Sequence, residues 1–479
     1  MKAHVKTFRD HAHRMVDWMA DYLEKVEQFP VKSTVAPGAI YDQIGTGIPE
    51  TGESLETIFA DFRQHLLPGV THWQHPNFHA YFPANSSVPS LLAEMLTATL
   101  GVQGMKWETS PASTELEHRV LEWLRDAKGM STQWTGVLQD TASTATLAAL
   151  LSARERATNF AINQNGFAGQ PHFRVYCSSE THSSIEKDAK IAGIGSANVV
   201  KIEVDDRLAM RPDRLRAAIA ADRAAGYVPL CVVATIGTTG TVAIDPLEPL
   251  AEIARSERIW LHVDAAYAGT ACLLPEYQYF LKGIEDADSY VFNPHKWLFT
   301  NFDCTAYYVK DVDTLVRTFA ILPEYLKTPT DGRVANHCDW GIPLGRRFRS
   351  LKLWFVLRHF GLTGLHEKIR HHINLAAMVA RWIEDDSNLA LLAPRSINVV
   401  VFGIVDNKRS DREVDIMNER LLHRLNDSGR VYLTHTRVRG RYALRMVIGQ
   451  TYVTEQHVTA AWSIIQATAS HQLSATIHQ

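Results

Sequence analysis

The chain has 479 residues, of which 46% are hydrophobic and 21% charged, and its formal net charge is -3. This length exceeds one ordinary core and suits roughly two or three domains, and the composition is that of a folded globular protein rather than a disordered one. With little net charge and no run of Lys or Arg, nucleic acid and anionic membrane surfaces are not expected as partners.

The five cysteines are scattered and include no Cys-x-x-Cys pair, which argues against a disulfide framework and a zinc ribbon. The N-terminus lacks the apolar core of a secretory signal, and no apolar run reaches the length of a membrane span. We therefore expect a cytoplasmic protein with reduced cysteines.

The first predicted element is a long amphipathic helix before a linker from Pro30 to Pro37. Its apolar stripe needs a surface to cover it, either on the same subunit or on a second copy. The stripe recurs at steps of three and four residues and comprises Phe8, Ala12, Met15, Met19, Tyr22 and Val26.

Three histidines follow this helix, but Pro76 prevents one continuous helix through them and no acid or cysteine completes a metal site. We therefore expect no metal at His72, His75 and His79. The same region is rich in side chains that could form either an aromatic substrate pocket or part of the core, namely Trp73, Tyr81, Phe82 and Pro83.

Between residues 88 and 351, apolar strands alternate with helices. The predicted strands are residues 174–177, 230–235, 259–263 and 289–292, and the predicted helices include residues 183–192 and 246–255. Continuous apolar strands joined by helices indicate an α/β fold with a mainly parallel central sheet covered by helices on both faces. Ligands bind such sheets at the carboxyl ends of the strands.

The stretch from Gln139 to Thr146 follows an apolar pair and opens a helix. Hydroxyls and free amides at a helix N-terminus can form a cup for phosphate, with Ser143 at its centre. Plain N-capping by Ser or Thr is the alternative interpretation.

Two predicted strand ends carry one charged residue each. Asp264 ends the apolar strand 259–263, and a buried acid needs a cation. Lys296 follows strand 289–292, where desolvation lowers an ammonium pKa and frees the amine to attack an aldehyde. Separately, these residues suit an ion pair and a surface lysine. Together with Ser143 they predict pyridoxal phosphate, whose protonated ring nitrogen needs a carboxylate.

The segment around Tyr325 is rich in turn residues and is predicted to be a mobile loop. After an apolar helix at 351–359, the remainder reads as a small α+β domain that begins with another helix. Its strands are predicted at 398–404, 431–436 and 442–448, and its later helices at 411–426 and 454–469. We expect three parts, a helical N-terminal segment at 1–87, a large cofactor domain at 88–352 and the small domain at 353–479.

At these residues the chain resembles the group II pyridoxal-phosphate decarboxylases, and within them the aromatic-L-amino-acid decarboxylases that act on dopa, tryptophan and tyrosine. The resemblance implies fold type I, like aspartate aminotransferase, and a homodimer. The matching motifs run nearly end to end and include Pro68-Gly69-Val70-Thr71-His72-Trp73, Ala80-Tyr81-Phe82-Pro83, Thr181-His182-Ser183-Ser184, His262-Val263-Asp264-Ala265-Ala266-Tyr267, Asn293-Pro294-His295-Lys296-Trp297 and Pro343-Leu344-Gly345-Arg346-Arg347.

The resemblance also implies roles for single residues. Lys296 would carry the cofactor with His295 beside it, Asp264 would pair with the ring nitrogen, and His182 would stack on the ring. Tyr325 would return a proton after carbon dioxide leaves. Further cofactor contacts are implied for Ala142, Ser143, Thr239, Ala266, Asn293 and His295. Substrate contacts are implied for Trp73, Tyr81, Phe82, Pro83, Ala84, Met105 and Gly345.

We therefore expect decarboxylation of an aromatic L-amino acid, by way of an external aldimine and a quinonoid. Tryptophan, 5-hydroxytryptophan, dopa, tyrosine and phenylalanine are the candidates. Ala84 cannot hydrogen-bond a catechol, and Gly345 leaves room for a bulky ring. The alternatives are an aromatic acetaldehyde synthase, another pyridoxal-phosphate lyase, or a catalytically silent scaffold. The presence of both Tyr325 and His182 favours decarboxylation.

Overall fold

The structure is a computed structural model that describes residues 2–321 and 334–476. Its helices are α1 (Lys2–Glu24), α2 (Leu55–Asp61), α3 (Val88–Leu100), α4 (Pro111–Ala127), α5 (Ala142–Ala157), α6 (Ala161–Asn165), α7 (Ser184–Ile191), α8 (Pro212–Ala224), α9 (Leu247–Glu257), α10 (Pro294–Trp297), α11 (Val312–Phe319), α12 (Arg349–Glu384), α13 (Asp411–Asp427) and α14 (Glu455–Thr476). Its strands are β1 (Thr135–Gln139), β2 (Phe173–Ser178), β3 (Val199–Ile202), β4 (Val228–Thr235), β5 (Trp260–Asp264), β6 (Ser289–Phe292), β7 (Thr305–Val309), β8 (Leu389–Leu391), β9 (Val399–Ile404), β10 (Thr434–Val438) and β11 (Arg441–Val447).

The chain divides into two compact units. The first unit contains Met1–Pro83, Arg381–Ala390 and Phe402–Gln479, and the second contains Ala84–Ala380 and Leu391–Val401. The three-part division at residues 87 and 352 stays a prediction.

The second unit is built on a seven-stranded sheet of order β1-β7-β6-β5-β4-β2-β3. The pairs β2–β3, β2–β4, β4–β5 and β5–β6 are parallel, whereas β7 runs antiparallel to both of its neighbours. The predicted α/β fold with a mainly parallel sheet is confirmed. Strand β7 was not predicted from the sequence.

Helix α5 crosses one face of this sheet and packs against most of its strands. Leu147 and Leu150 join a core cluster with residues of β2, β4 and β5. Ala145 and Ala148 join a second cluster with residues of β1, β6 and β7. Full burial of one such leucine is worth about 1.5–3 kcal/mol. This packing fixes α5, so its N-terminus is held just beyond the end of β1.

Two boundaries differ from the prediction, one because of a glycine in a helix and one because of strand pairing. The predicted helix at 351–359 is the first part of α12, which is interrupted at Gly361 with φ +62° and ψ 172°. Glycine adopts this left-handed φ without the steric penalty of a side chain, so the chain bends there and resumes as a helix. Strand β10 lies two to three residues later than predicted because its register is fixed by pairing with β11.

In the first unit, β10 and β11 form a hairpin and belong to a four-stranded sheet of order β10-β11-β9-β8. Helix α13 begins with a capping box in which Ser410 and Glu413 each satisfy a backbone N–H of the other. Among the described residues, the helices are all too short or too polar to cross a bilayer.

Candidate active site

The ends of three neighbouring parallel strands form the floor of the candidate site. Thr235, Asp264 and Val291 lie side by side in the registers of β4, β5 and β6. The chain stays paired just beyond these ends, because Asn293 donates its backbone N–H to the Ala266 carbonyl at 3.0 Å. The loops after β5 and β6 therefore leave the sheet together.

Asp264 is the acidic group of this edge. Its side chain is only 6% exposed, and its Oδ1 accepts the backbone N–H of Ala266 at 3.0 Å. A carboxylate buried this deeply is costly unless a positive charge or further hydrogen bonds compensate for the lost water. The position is suited to a cationic ring nitrogen.

Lys296 lies in the short helix α10, whose turn is closed by the Lys296 N–H donating to the Asn293 carbonyl at 3.0 Å. Its side chain is half-buried, whereas the flanking His295 and Trp297 are buried. His295 accepts the backbone N–H of Cys304 on Nδ1 at 3.0 Å. Burial, reinforced by the Lys296 charge, lowers the pKa of His295 to about 3, so this ring is neutral.

The N-terminus of α5 lies beside the same loops. Its N-cap residue Thr141 accepts the backbone N–H of Thr144 at 3.3 Å, while Ala142 and Ser143 are half-buried in the first turn. The Thr305 hydroxyl lies 3.0 Å from the carbonyl oxygen of Asp140 and 2.9 Å from Oδ1 of Asn293.

A helix start of this kind attracts anions through its free N–H groups and its dipole. Thr305 joins the segment before α5 to the segment before Lys296, so the start of this helix and the lysine lie in the same part of the second unit.

His182 lies on the loop between β2 and α7. The residue is partly exposed, and its Nδ1 is 2.8 Å from the Ser184 hydroxyl. Partial burial and then the charge of Lys296 lower the pKa of His182, while the charge of Asp264 acts in the opposite direction. His182, Asp264 and Lys296 are therefore close enough for their charges to interact.

Thr239 lies on the turn that follows β4 at this same edge and is exposed. The turn begins at Gly237, which has φ +92° and where a Cβ would lie only 2.6 Å from the Cβ of Ala268. Glycine is required there both for its backbone conformation and for the close approach.

Four of the predicted substrate residues, Trp73, Tyr81, Phe82 and Pro83, belong to the first unit. The Trp73 and Tyr81 rings stack with centroids 5.8 Å apart, and the Arg445 guanidinium lies 4.5 Å from the centroid of the Phe82 ring. Trp73 is 36% exposed and Tyr81 51% exposed, so these rings are not simply core.

The other three, Ala84, Met105 and Gly345, belong to the second unit. Ala84 and Met105 are half-buried, and a Cβ at Gly345 would lie 3.0 Å from Nε2 of Gln103. A larger residue at 345 would displace that flexible amide. Tyr325 lies outside the described residues.

Arg346 belongs to a motif recognised in the sequence, but its pairing with Glu117 was not predicted. Arg346 Nη2 donates to Oε1 of Glu117 at 2.8 Å and also to the Leu138 carbonyl, and the same Oε1 accepts the Leu138 N–H at 2.8 Å. Both side chains are buried. This pair ties the end of β1, and with it the approach to α5, to helix α4.

His72, His75 and His79 are hydrogen-bonded within the protein. The backbone N–H of Asn77 donates to Nδ1 of His75 at 3.0 Å. His72 Nδ1 lies 2.8 Å from the Tyr22 hydroxyl, and His79 Nδ1 lies 2.9 Å from the Val447 carbonyl oxygen. Within residues 2–321 and 334–476, no three His, Cys, Asp or Glu side chains are arranged to hold a metal ion.

Comparisons with known proteins agree on one family. A family model described as the pyridoxal-dependent decarboxylase conserved domain matches residues 37–405. The chain is 42% identical over 475 residues to phenylacetaldehyde synthase of Arabidopsis thaliana, covering 97% of this chain and 96% of the relative. It is 41% identical over 475 residues to tryptophan decarboxylase 2 of Oryza sativa subsp. japonica, covering 97% and 95%. The crystal structure of Catharanthus roseus tryptophan decarboxylase in complex with L-tryptophan is similar with a TM-score of 0.92 at 40% identity, covering 98% of each chain.

Proposed function

The chain belongs to the pyridoxal-dependent decarboxylase family, and we propose that it removes the carboxyl group of an aromatic L-amino acid to give the amine and carbon dioxide. The observation that carries this proposal is the electrostatic group of His182, Asp264 and Lys296 at one sheet edge beside the start of α5. The tryptophan decarboxylases among its relatives support the aromatic substrate class.

The residues at this edge fit pyridoxal phosphate. The half-buried amine of Lys296 suits the aldehyde, and the start of α5 with Ser143 and Ala142 suits the phosphate. Asn293 and Thr239 lie where they could add hydrogen bonds to it. When bound, the cofactor supplies an electron sink for the electrons of the broken carbon–carboxyl bond.

The chain's own residues then control protons and orientation. Asp264 would keep a proton on the ring nitrogen, and its burial strengthens that interaction because little water screens it. His182 would lie against the ring and fix its orientation. Tyr325 would donate a proton to Cα of the substrate after carbon dioxide leaves, which completes the conversion to the amine.

The direct test is to supply the full chain and pyridoxal phosphate with tryptophan, 5-hydroxytryptophan, tyrosine, dopa and phenylalanine. Amine and carbon dioxide should appear in equal amounts from at least one of the five. Because Ala84 offers no hydroxyl to a catechol and Gly345 leaves room, we expect an indole substrate to compete well with dopa. Failure with all five acids would refute the proposal.

A second candidate is an aromatic acetaldehyde synthase, which the 42% identity to phenylacetaldehyde synthase favours. That activity consumes dioxygen and water and yields aldehyde, carbon dioxide, ammonia and hydrogen peroxide. An oxygen electrode and an aldehyde assay on the same five reactions separate the two candidates. We expect no oxygen consumption linked to turnover, because the chain has both Tyr325 and His182.

We also propose that the protein is a homodimer. Helix α3 exposes three leucines spaced four residues apart, so they lie on one face: Leu92 at 51%, Leu96 at 46% and Leu100 at 61% exposure. In α1, Phe8 is 63% exposed and Met19 is 44% exposed. Apolar stripes of this kind are typical of surfaces that a second subunit covers.

A cytoplasmic location is proposed from the five free, buried cysteines.

A further inference from the structure

Helix α7 buries a carboxyl group that the proposed mechanism does not use. Asp188 is only 2% exposed, and its Oδ2 has no hydrogen-bond partner among the described residues. Buried polar atoms are nearly always hydrogen-bonded, since leaving one unpaired costs about 1–3 kcal/mol. An unpaired buried carboxyl therefore needs a physical explanation.

The position of α7 directs this carboxyl toward the candidate site. The helix begins two residues after His182, and the hydroxyl of its first residue, Ser184, lies 2.8 Å from Nδ1 of His182. Asp188 lies one helical turn beyond Ser184 on the same face. Because helical side chains lean toward the N-terminus of their helix, the carboxyl of Asp188 leans toward the turn that holds His182.

A second contact brings this end of α7 to the strand ends. The Thr181 hydroxyl, just before His182, lies 3.3 Å from the hydroxyl of Thr235, which pairs with Asp264 in the sheet. The charge of Asp264 acts on Asp188, which places the two carboxyls within electrostatic reach.

Burial and then the charge of Asp264 raise the pKa of Asp188 to about 7, while Lys187 on the same helix lowers it. Charged side chains of two neighbouring elements, α5 and β3, are engaged elsewhere. Arg154 and Glu155 of α5 pair with each other at 2.7 Å, and Lys201 of β3 donates to Cys177 at 3.4 Å. Asp188 is thus poised to change charge near neutral pH.

We propose that Asp188 is a positioning residue, a second carboxyl behind Asp264 whose negative charge strengthens the chain's hold on the protonated ring nitrogen of pyridoxal phosphate. The inference rests on the proposed role of Asp264. A second negative charge near a bound cation favours that cation, at the expense of electrostatic repulsion between the two carboxyls in the cofactor-free chain. Asp188 therefore lowers the stability of the cofactor-free protein and raises the affinity of the protein for the cofactor.

The first test measures the dissociation constant of pyridoxal phosphate for the full chain stripped of cofactor. At about pH 6, where Asp188 is mainly neutral, the native chain and Asp188→Asn should bind similarly. At about pH 8.5 the native chain should bind more tightly, on the order of tenfold. Asp188→Ala, which also removes the carboxyl, should behave like Asp188→Asn. Equal affinities at both pH values would overturn the inference.

The second test measures thermal unfolding of the same cofactor-free proteins. The pKa of Asp188 is near 4 in the unfolded chain and about 7 in the folded chain. Between these two pH values the unfolded chain loses the proton first, so the folded state becomes less stable as pH rises. Asp188→Asn should therefore unfold at a higher temperature than the native chain at about pH 8.5, with the difference vanishing near pH 4. A lower unfolding temperature for Asp188→Asn at every pH would indicate a merely structural residue and contradict the inference.

Asp245 provides the matched control. Its pKa is also raised to about 7 by burial, but its two carboxyl oxygens accept the backbone N–H groups of Met210 and Thr235 at 2.7 and 2.8 Å. Asp245→Asn should lower the unfolding temperature, because an amide cannot accept on both sides.

These outcomes separate the inference from the proposed function. If the native chain does not bind pyridoxal phosphate at any pH, the proposed function fails, and the inference fails with it. If the native chain binds and turns over substrate but Asp188→Asn binds equally well at about pH 8.5, only the inference fails.

Discussion

At the scale of single residues, the first question is which lysine amine holds the cofactor. The three lysines to compare are Lys128, Lys296 and Lys352. Burial lowers the pKa of Lys128 to about 8 and, by the same cause, that of Lys352 to about 8. Lys128, however, donates to the Gly269 carbonyl with its amine 3.8 Å from the centroid of the Phe292 ring, and Lys352 lies 3.0 Å from Glu94 in an ion pair. Lys296 is half-buried at the strand ends. Access, more than a lowered pKa, is our reason for proposing Lys296.

Asp264→Asn tests the acid at the same scale. An amide cannot hold a proton on the ring nitrogen as a carboxylate does. We therefore expect kcat/KM to fall, with a loss of about 3 kcal/mol or more of transition-state stabilisation. Steady-state kinetics with the best of the five aromatic acids measure this loss. The control Asp313→Asn changes an exposed carboxylate in an i,i+4 pair with Arg317 and should leave the rate unchanged. A normal rate for Asp264→Asn would remove the residue from the mechanism.

Tyr325→Phe should change the kind of product as well as the rate. The variant keeps the tyrosine ring and loses only the hydroxyl that donates the proton. Cα of the substrate then stays unprotonated after carbon dioxide leaves and can react with dioxygen instead. We expect a higher ratio of aldehyde to amine, together with peroxide, by chromatography and a coupled peroxide assay. Tyr279→Phe, at an exposed tyrosine, is the matched control. Unaltered amine formation without peroxide would make His182 the next candidate for the proton donor.

Among the elements, the approach to α5 depends on a buried ion pair between α4 and the segment before α12. Burial raises the pKa of Glu117, but Arg346 and His337 lower it by more, so the carboxylate is charged. Removing one member of such a pair leaves an uncompensated buried charge.

Glu117→Gln should therefore lower the free energy of unfolding by about 3–5 kcal/mol, measured by urea denaturation. Glu122→Gln, on the same helix, breaks an exposed pair with Arg119 at 2.8 Å and should cost about 0–1 kcal/mol. Equal effects of the two variants would show that the buried pair does not hold the end of β1.

Elements that carry a strong local pattern were predicted, and those set by distant pairing were not. The apolar strand before Asp264 and the polar start of α5 are visible in the sequence because burial and capping act within a few residues. β7 was missed because its place between β1 and β6, and its reversed direction, depend on tertiary pairing. Asp188 gave no signal either, since one acid in a helix is ordinarily exposed.

At the scale of the whole molecule, the leucine face of α3 predicts how subunits associate. Leu96→Glu places a charge in the centre of this face and should convert dimer to monomer, measured by light scattering at assay concentration. Ala98→Glu adds the same charge on another exposed side of the helix and should leave the dimer intact. A native chain that is active as a monomer would contradict the homodimer.

The central claim is that this chain holds pyridoxal phosphate through Lys296 at the carboxyl edge of its sheet. Borohydride reduction of the full chain with its cofactor, followed by proteolysis and mass spectrometry, fixes the cofactor on the lysine that carries it. The account predicts a phosphopyridoxyl group on the peptide that contains Lys296. Modification of Lys128, Lys352 or another lysine in its place would contradict it.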